Sequence, residues 1–336
     1  NTKTINGVLR ANNIDLKSNS LDLSEIKYLN EAVAYDESKK VRENDILVCA
    51  SSGSRQHLGK FALIPKGVEF YFGGFMYVLR PRQNINPKYL YYNLLTGYYR
   101  NYIDSLLAGA NINNIRTSDL SSFEIPLPPI EMQDQIVAEL ESCQKIIDGA
   151  RQIVGNYRPT IKVESSWKRV KLGDIFKLSS GKPLVEKDRI VGGYAVYGGN
   201  GITGKHNKYL VKESTIVIGR VGEYCGSVHV TIPESWVTDN ALMVTYKLCD
   251  YNNDYVAYLL NQLNLRQYAK VGGQPSISQS TLYELYVPFP DIEVQNKIVD
   301  EIKEELSIVE QNKRLIQIFE QKIKDKINEV WGSETK

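Results

Sequence analysis

The sequence predicts an α+β chain in which one unit is used twice, each copy a mixed strand-and-helix body followed by a single long helix. Three observations carry this reading. A segment recurs with its prolines in place, two apolar seams run at helical spacing, and short strand-like runs precede each of them.

The recurrence is clearest at the end of each body. Over residues 122–137 and 284–299, Pro126 and Pro128 match Pro288 and Pro290, Glu131 matches Glu293, and Gln133 matches Gln295. The pair Ile136-Val137 matches Ile298-Val299 at the same offset. Upstream, residues 111–115 parallel 273–277, and a leucine follows each five residues later (Leu120, Leu282). Residues 89–95 parallel 255–261, and 45–48 parallel 215–218 with a shifted offset that implies loop insertions. Self-similarity in a fixed order of elements marks a duplicated unit. The boundaries that follow are a first body over 1–129, a long helix over 130–160, a second body over 161–290, and a second long helix over 291–336.

The long helices rest on periodicity. After the Pro-x-Pro stop, Ile136, Leu140, Cys143, Ile147, Ala150, Val154 and Tyr157 alternate at spacings of four and three, the a/d pattern of a helix that buries a stripe. In the second copy the stripe is Val299, Ile302, Leu306, Val309, Lys313, Ile316, Glu320, Ile323, Ile327 and Val330. Only Lys313 and Glu320 interrupt it, and polar groups in a seam fix register at some cost in stability. At about 1.5 Å per residue the helices reach roughly 40 and 55 Å. Neither can bury its stripe on a small body alone, so the simplest arrangement packs one on the other. Separate docking on each body is the alternative.

Within the bodies, 45–50, 61–64, 215–219 and 241–246 are short apolar or alternating runs bounded by Gly, Asn and Ser, hence strands. Residues 87–100 and 253–268 carry helix-spaced Leu and Tyr after a turn signal, hence helices.

Composition excludes several classes. The chain has 336 residues, 42% hydrophobic and 24% charged, with net charge +2, which is ordinary for a globular protein of two or more domains. The charge is uneven. Residues 1–129 carry 15 basic and 12 acidic groups and 161–290 carry 15 and 11, against 3 and 5 over 130–160 and 8 and 11 over 291–336. Basic bodies on acidic connectors suit a polyanion held by the bodies, although differences this small also arise by chance. Cys49, Cys143, Cys225 and Cys249 lack metal-ligand spacing, and His57, His206 and His229 are scattered. No metal site is expected, and the thiols suit a reducing cytoplasm. No run approaches the roughly 20 apolar residues of a membrane span.

Catalytic motifs are also missing. There is no Asp/Asn/Ser-Pro-Pro-aromatic tetrapeptide to grip a flipped base, since Pro128-Pro129 lies between Leu127 and Ile130. No Gly-x-Gly-x-x-Gly closes a strand. What remains is a set of loops combining Gly, amides, hydroxyls and bases. They contain Arg55, Gln56, Asn113, Arg116, Asn200, Lys205, Arg220, Gln274 and Ser276. Arginine suits guanine O6/N7, Asn or Gln suits adenine N6/N7, and Ser, Lys and backbone amides suit phosphate. Gly–Asn clusters are equally the composition of turns. The recurrence of such loops at related places in both copies favours reading.

Residues 167–175 (Trp167 to Ile175), 194–202, 215–222 and 288–295 together resemble the specificity subunit of type I restriction–modification enzymes, over essentially the whole chain. The resemblance implies two target recognition domains separated by an antiparallel pair of long helices, each domain reading half of a bipartite DNA site. It implies no catalytic residue and no cofactor on this chain. S-adenosylmethionine would sit on a partner adenine methyltransferase, separate or fused, and an ATP-dependent restriction subunit is a further partner. The first copy lacks the Trp-x-x-Val-x-Leu-Gly-Asp opening of the second and starts near Val8, which implies missing upstream sequence. Because the loops of the two copies hardly match, the two half-sites should differ. The rival expectations are a module cut from a single-chain methyltransferase or restriction enzyme, and an assembly scaffold that reads no DNA.

Overall fold

Each long helix begins just after a Pro-x-Pro stop, and the same buried side chain fixes that start in both copies. A computed structural model of the chain describes residues 6–16, 18–30, 36–108, 114–270 and 272–332. Two units are present, one ending at Gln152 but including the chain from Lys313 onward, the other spanning Ile153–Asn312.

In the first unit the strands are β1 (Gly7–Leu9), β2 (Lys27–Tyr28), β3 (Ile46–Cys49), β4 (Phe61–Leu63), β5 (Tyr71–Phe72) and β6 (Met76–Leu79). They form two three-stranded sheets, β4-β3-β6 and β2-β1-β5. All four residues of β3 are buried, because both faces of the strand are covered. Ile46 and Val48 join Leu58, Phe61, Leu94 and Ile103, while Leu47 and Cys49 join Leu9, Ala62, Ile64 and Met76. That split is the two-residue period of a strand. The helices are α1 (Pro87–Leu94), α2 (Gly97–Ala108), α3 (Thr117–Ser121) and α4 (Ile130–Asn156). The single helix expected over 87–100 is therefore two. Thr96 divides them, its hydroxyl donating to the Asn93 carbonyl (2.7 Å) and accepting from the Tyr99 amide (3.4 Å). It thus serves the orphan groups of both ends.

The second unit holds β7 (Arg169–Lys171), β8 (Phe176–Ser180), β9 (Tyr194–Gly198), β10 (Gly201–His206), β11 (Ile216–Gly219), β12 (Val228–Val230), β13 (Trp236–Val237) and β14 (Ala241–Lys247). There follow α5 (Asn253–Gln262), α6 (Gln279–Tyr283), β15 (Tyr286–Pro288) and the first part of α7 (Ile292–Gly332). The sheets run β12-β11-β14-β8, β10-β9-β13 and β15-β7. The helix expected over 253–268 stops early. Asn264 takes a left-handed backbone (φ 49°), and only a short 3-10 turn, Leu265–Tyr268, continues.

The two units repeat one another down to single hydrogen bonds. Cys49 pairs with Met76 across β3–β6, as Gly219 pairs with Ala241 across β11–β14. The parallel pair β1–β5 corresponds to β9–β13. Beyond the strand ends, the Ala50 amide donates to Phe75 O (2.9 Å) and the Ile115 amide to Ala50 O (2.8 Å). Their counterparts are Arg220 to Asn240 O (2.9 Å) and Ile277 to Arg220 O (2.9 Å). Ala50, Phe75 and Ile115 thus stand where Arg220, Asn240 and Ile277 stand.

The repeated glutamine is a latch. Gln133 and Gln295 are both fully buried. Gln133 Oε1 accepts from the Asn86 amide (2.9 Å) and its Nε2 donates to Pro128 O (2.8 Å). Gln295 does the same with Asn252 (3.0 Å) and Pro290 O (2.9 Å). Asn86 and Asn252 in turn cap α1 and α5, each side chain accepting from the second and third amides of its helix. Tyr89 and Tyr255 donate their hydroxyls to Pro126 O (2.8 Å) and Pro288 O (3.2 Å). One amide side chain thereby ties the long helix to the preceding helix and to the proline turn.

Every seam residue but Lys313 is buried or half-buried, as the periodicity predicts. In the first unit Ile136, Val137, Leu140 and Ile327 form a cluster with Tyr89 and Tyr92, joined by Ile323, Val330 and Trp331. Ile147 and Ala150 are also buried. Glu139 pairs with Lys326 (2.8 Å) and Arg151 with Glu320 (2.7 Å). Moving up α4 therefore means moving down α7, so the two helices pack antiparallel. Glu320, one of the polar interruptions, holds register through Arg151, while Lys313 is exposed. Ile316 is half-buried. In the second unit Val299, Ile302 and Leu306 pack into that body's own core. Val309 is buried, Val154 half-buried, and Tyr157 donates its hydroxyl to Glu305 (2.5 Å). The seam thus serves two surfaces, the partner helix over one stretch and the local body over another.

Candidate nucleic-acid interface

The loops at the Cys49 and Gly219 ends of β3 and β11 gather polar side chains in both units. In the second unit the two-residue turn Gly199-Asn200 between β9 and β10 lies against the end of β11. A Cβ on Gly199 would stand 3.4 Å from Gly219 Cα, and one on Gly219 would stand 2.1 Å from Tyr224 O. Only glycine allows backbones this close. Arg220 follows directly, exposed, with one guanidinium nitrogen donating to Ser180 Oγ (3.0 Å). Val221 bridges to Ser276, and the Gly222 amide donates to Pro275 O (2.9 Å). Gln274 Nε2 lies 3.1 Å from where a Gly222 Cβ would be. The fold therefore brings Asn200, Arg220, Gln274 and Ser276 into one cluster, with Tyr224 and Asn240 beside them.

Lys205 is exposed but elsewhere. It pairs with Ala195 near the end of the β9–β10 hairpin away from the Gly199-Asn200 turn.

The first unit arranges its residues differently. Ser51 bridges to Asn114, the counterpart of Val221 and Ser276, and the Ser51 hydroxyl also donates to Asn114 Oδ1. Arg116 follows at the start of α3, its amide donating to Asp119 (2.8 Å) and its side chain exposed. These groups line a cleft of about 810 Å³ together with Phe75 and Tyr77. Arg55 and Gln56 sit on a 3-10 turn (Arg55–His57) and line a separate cleft of about 570 Å³ with Lys60, Arg100 and Asp104. Asn113 lies outside the described residues.

His229 borders the second cluster. Its ring lies 3.3 Å from where a Gly201 Cβ would be, Nε2 is buried without a partner, and burial lowers its pKa despite a hydrogen bond to the Gly199 backbone. Among the described residues no group of three His, Cys, Asp or Glu could hold a metal, and no helix is long and apolar enough to cross a membrane.

Chemically, the clusters offer guanidinium forks, side-chain amides and hydroxyls on a rigid backbone frame, the groups that match base edges and phosphates. Ser51 and Asn114 fall within the polar loops read from the sequence, but Phe75 and Asn240 do not. The register of β6 and β14 is what brings them forward.

Residues 3–153 and 164–328 match the family model described as the type I restriction modification DNA specificity domain. Over 161 residues the chain is 32% identical to the StySPI specificity subunit of Salmonella potsdam and to the EcoKI specificity subunit of Escherichia coli K12, covering 46% of this chain and 34% of each relative. The aligned stretch thus spans about a third of those proteins. A putative specificity subunit of Mycoplasma genitalium is 26% identical over 265 residues, covering 66% of this chain and 67% of the relative. Among solved structures, a chain from work on assembly and conformational transition of a type I R-M system superposes with a TM-score of 0.63 at 15% identity, covering 96% of this chain and 90% of that one. The S subunit from M. genitalium gives 0.53 at 19%, covering 97% and 92%. These likenesses carry the fold. With its two copies of the domain spanning nearly the whole sequence, the chain belongs to the family of type I restriction modification DNA specificity domains.

Proposed function

We propose that this chain reads double-stranded DNA sequence and directs an associated adenine-N6 methyltransferase to it, performing no chemistry itself. The observation that carries this is the repetition of one backbone frame with different side chains. Arg220, Asn240 and Ser276 stand where Ala50, Phe75 and Asn114 stand. A catalytic pair of domains would repeat its reactive groups, whereas a pair of readers must vary them. The target is accordingly bipartite, one short half-site per unit, and the antiparallel helices set the gap between them. S-adenosylmethionine binds the methyltransferase, which is a separate subunit or a fused domain, and an ATP-dependent restriction subunit joins the same cytoplasmic assembly.

The test is a selection of duplexes from a randomised library by the full chain at modest salt, followed by methyl-transfer assays with and without an adenine methyltransferase. Enrichment of two short motifs around a fixed gap, with transfer only when the methyltransferase is present, is expected. A bidentate arginine–guanine contact carries about 1–3 kcal/mol of discrimination, so Arg220→Ala should relax one position. Turnover by the chain alone, or no enriched motif, would overturn the reading.

A further inference from the structure

An exposed phenylalanine stands at a place where the duplicated frame has an asparagine, and both are held by the same backbone contact. Phe75 is 70% exposed. Its carbonyl accepts from the Ala50 and Ser51 amides (2.9 and 3.2 Å), so its backbone is pinned while its ring is not buried. It shares a cleft with Ser51, Asn114 and Arg116. Asn240, also exposed, accepts from the Arg220 amide (2.9 Å), beside the cluster that holds Asn200, Arg220 and Ser276.

The equivalence is independent of sequence similarity, which is nil at this point. It follows from the register of Cys49 with Met76 and of Gly219 with Ala241. It follows also from the turn between the paired strands. The Met76 amide donates to Gly73 O (3.0 Å) as Ala241 donates to Thr238 O (3.1 Å). Leaving a large apolar ring in water gives up the free energy of burying it, and one exposed ring proves nothing by itself. An exposed ring on a pinned backbone, in a cleft with an exposed guanidinium and two amide or hydroxyl groups, has a use when a base edge fills the cleft.

We infer that Phe75 and Asn240 are paired specificity residues, each reading an A·T base pair in the major groove of its own half-site by a different chemistry. This rests on the DNA-reading function proposed above. Phe75 covers the C5-methyl group of a thymine, the one apolar feature of the groove, and Asn240 makes the two-hydrogen-bond contact to adenine N6 and N7.

The test uses the full chain and the randomised-duplex selection, comparing wild type with Phe75→Ala, Phe75→Leu and Asn240→Ala. Phe75→Ala should lose the preference for thymine at one position of one half-site and leave the other half-site unchanged. Phe75→Leu should keep part of it. Asn240→Ala should lose roughly tenfold or more of adenine preference at one position of the other half-site. Replacing the selected thymine by deoxyuridine, which lacks the methyl group, should weaken wild type by about fourfold, the worth of one buried methyl, and leave Phe75→Ala unaffected. Melting curves of the variants should match wild type, since neither side chain is in a core. If wild type selects a motif and the variants select the same one at every position, this inference fails while the reading function stands. If wild type selects nothing, the reading function itself fails.

Discussion

The two units share a backbone and differ in what surrounds it. In the second unit β8 extends the central sheet to four strands and β7 pairs with β15, whereas the described residues of the first unit pair no strand at those places. The β9–β10 hairpin of the second unit brings a Gly-Asn turn against the end of β11. In the first unit the chain after β1 enters a short 3-10 turn, Ala11–Asn13, instead. The frame that survives these differences is the three-stranded core, the capped helix after it, and the buried glutamine. What is kept is what positions the loops, and what changes is what the loops carry.

The sharpest contrast inside that frame is a pair of glycines. Gly59 and Gly226 both have left-handed backbones (φ 76° and 89°) and donate to Cys49 O and Gly219 O. A Cβ on Gly226 would stand 2.5 Å from the Arg266 amide nitrogen, which is backbone, but one on Gly59 would first meet the Ile103 side chain at 2.9 Å. The left-handed strain costs about 1–2 kcal/mol at either site. Overpacking against backbone should bring Gly226→Ala to about 4 kcal/mol, with Gly59→Ala near 2 kcal/mol. Urea unfolding of the two variants measures this, and equal losses would show that the units are equally tolerant here.

The glutamines should behave alike where the glycines differ. Gln133→Ala and Gln295→Ala each leave a buried amide and a buried carbonyl without partners, at about 2–3 kcal/mol each. The same unfolding experiment reads them. A loss confined to one variant would break the equivalence of the two latches.

A smaller, pH-dependent effect distinguishes the units. His229 lies where the first unit has Ala62, one residue inside the central sheet. Burial holds its pKa below the ordinary value, so the unfolded chain binds this proton more readily than the native one. The stability that results is present above the unfolded pKa, about 6.5, and is lost as pH falls through the lowered folded value. His229→Gln should therefore flatten the decline of unfolding midpoint between pH 7.5 and 5. An unchanged slope would remove His229 from the account.

The sequence made the duplication and the helices legible because their signals are local and periodic. Ile136, Leu140 and Ile147 declare a stripe without reference to anything distant. The latch was visible only as a match between Gln133 and Gln295. Its role depends on Asn86 and Asn252, more than forty residues upstream, although the shared spacing from Asn86 to Tyr89 and from Asn252 to Tyr255 hinted at it. Arg55 and Arg116 looked like members of one reading surface, yet the 3-10 turn at Arg55 places them in separate clefts. Phe75 gave no signal, because it sits in a run of Phe, Tyr and Gly where alternation cannot say which ring is outward.

The hydrogen bonds that hold these loops run from backbone to backbone: Ala50 to Phe75, Ile115 to Ala50, Arg220 to Asn240, Ile277 to Arg220. Such bonds are indifferent to the side chains of the residues that make them. At the exposed members, Phe75, Arg220 and Asn240, side chains can therefore change at little thermodynamic penalty, whereas Ala50, Ile115 and Ile277 are buried and held by the cores. The molecule separates the residues that hold the fold from those whose side chains can change without disturbing it. Its evolvability is a property of where its main-chain hydrogen bonds fall.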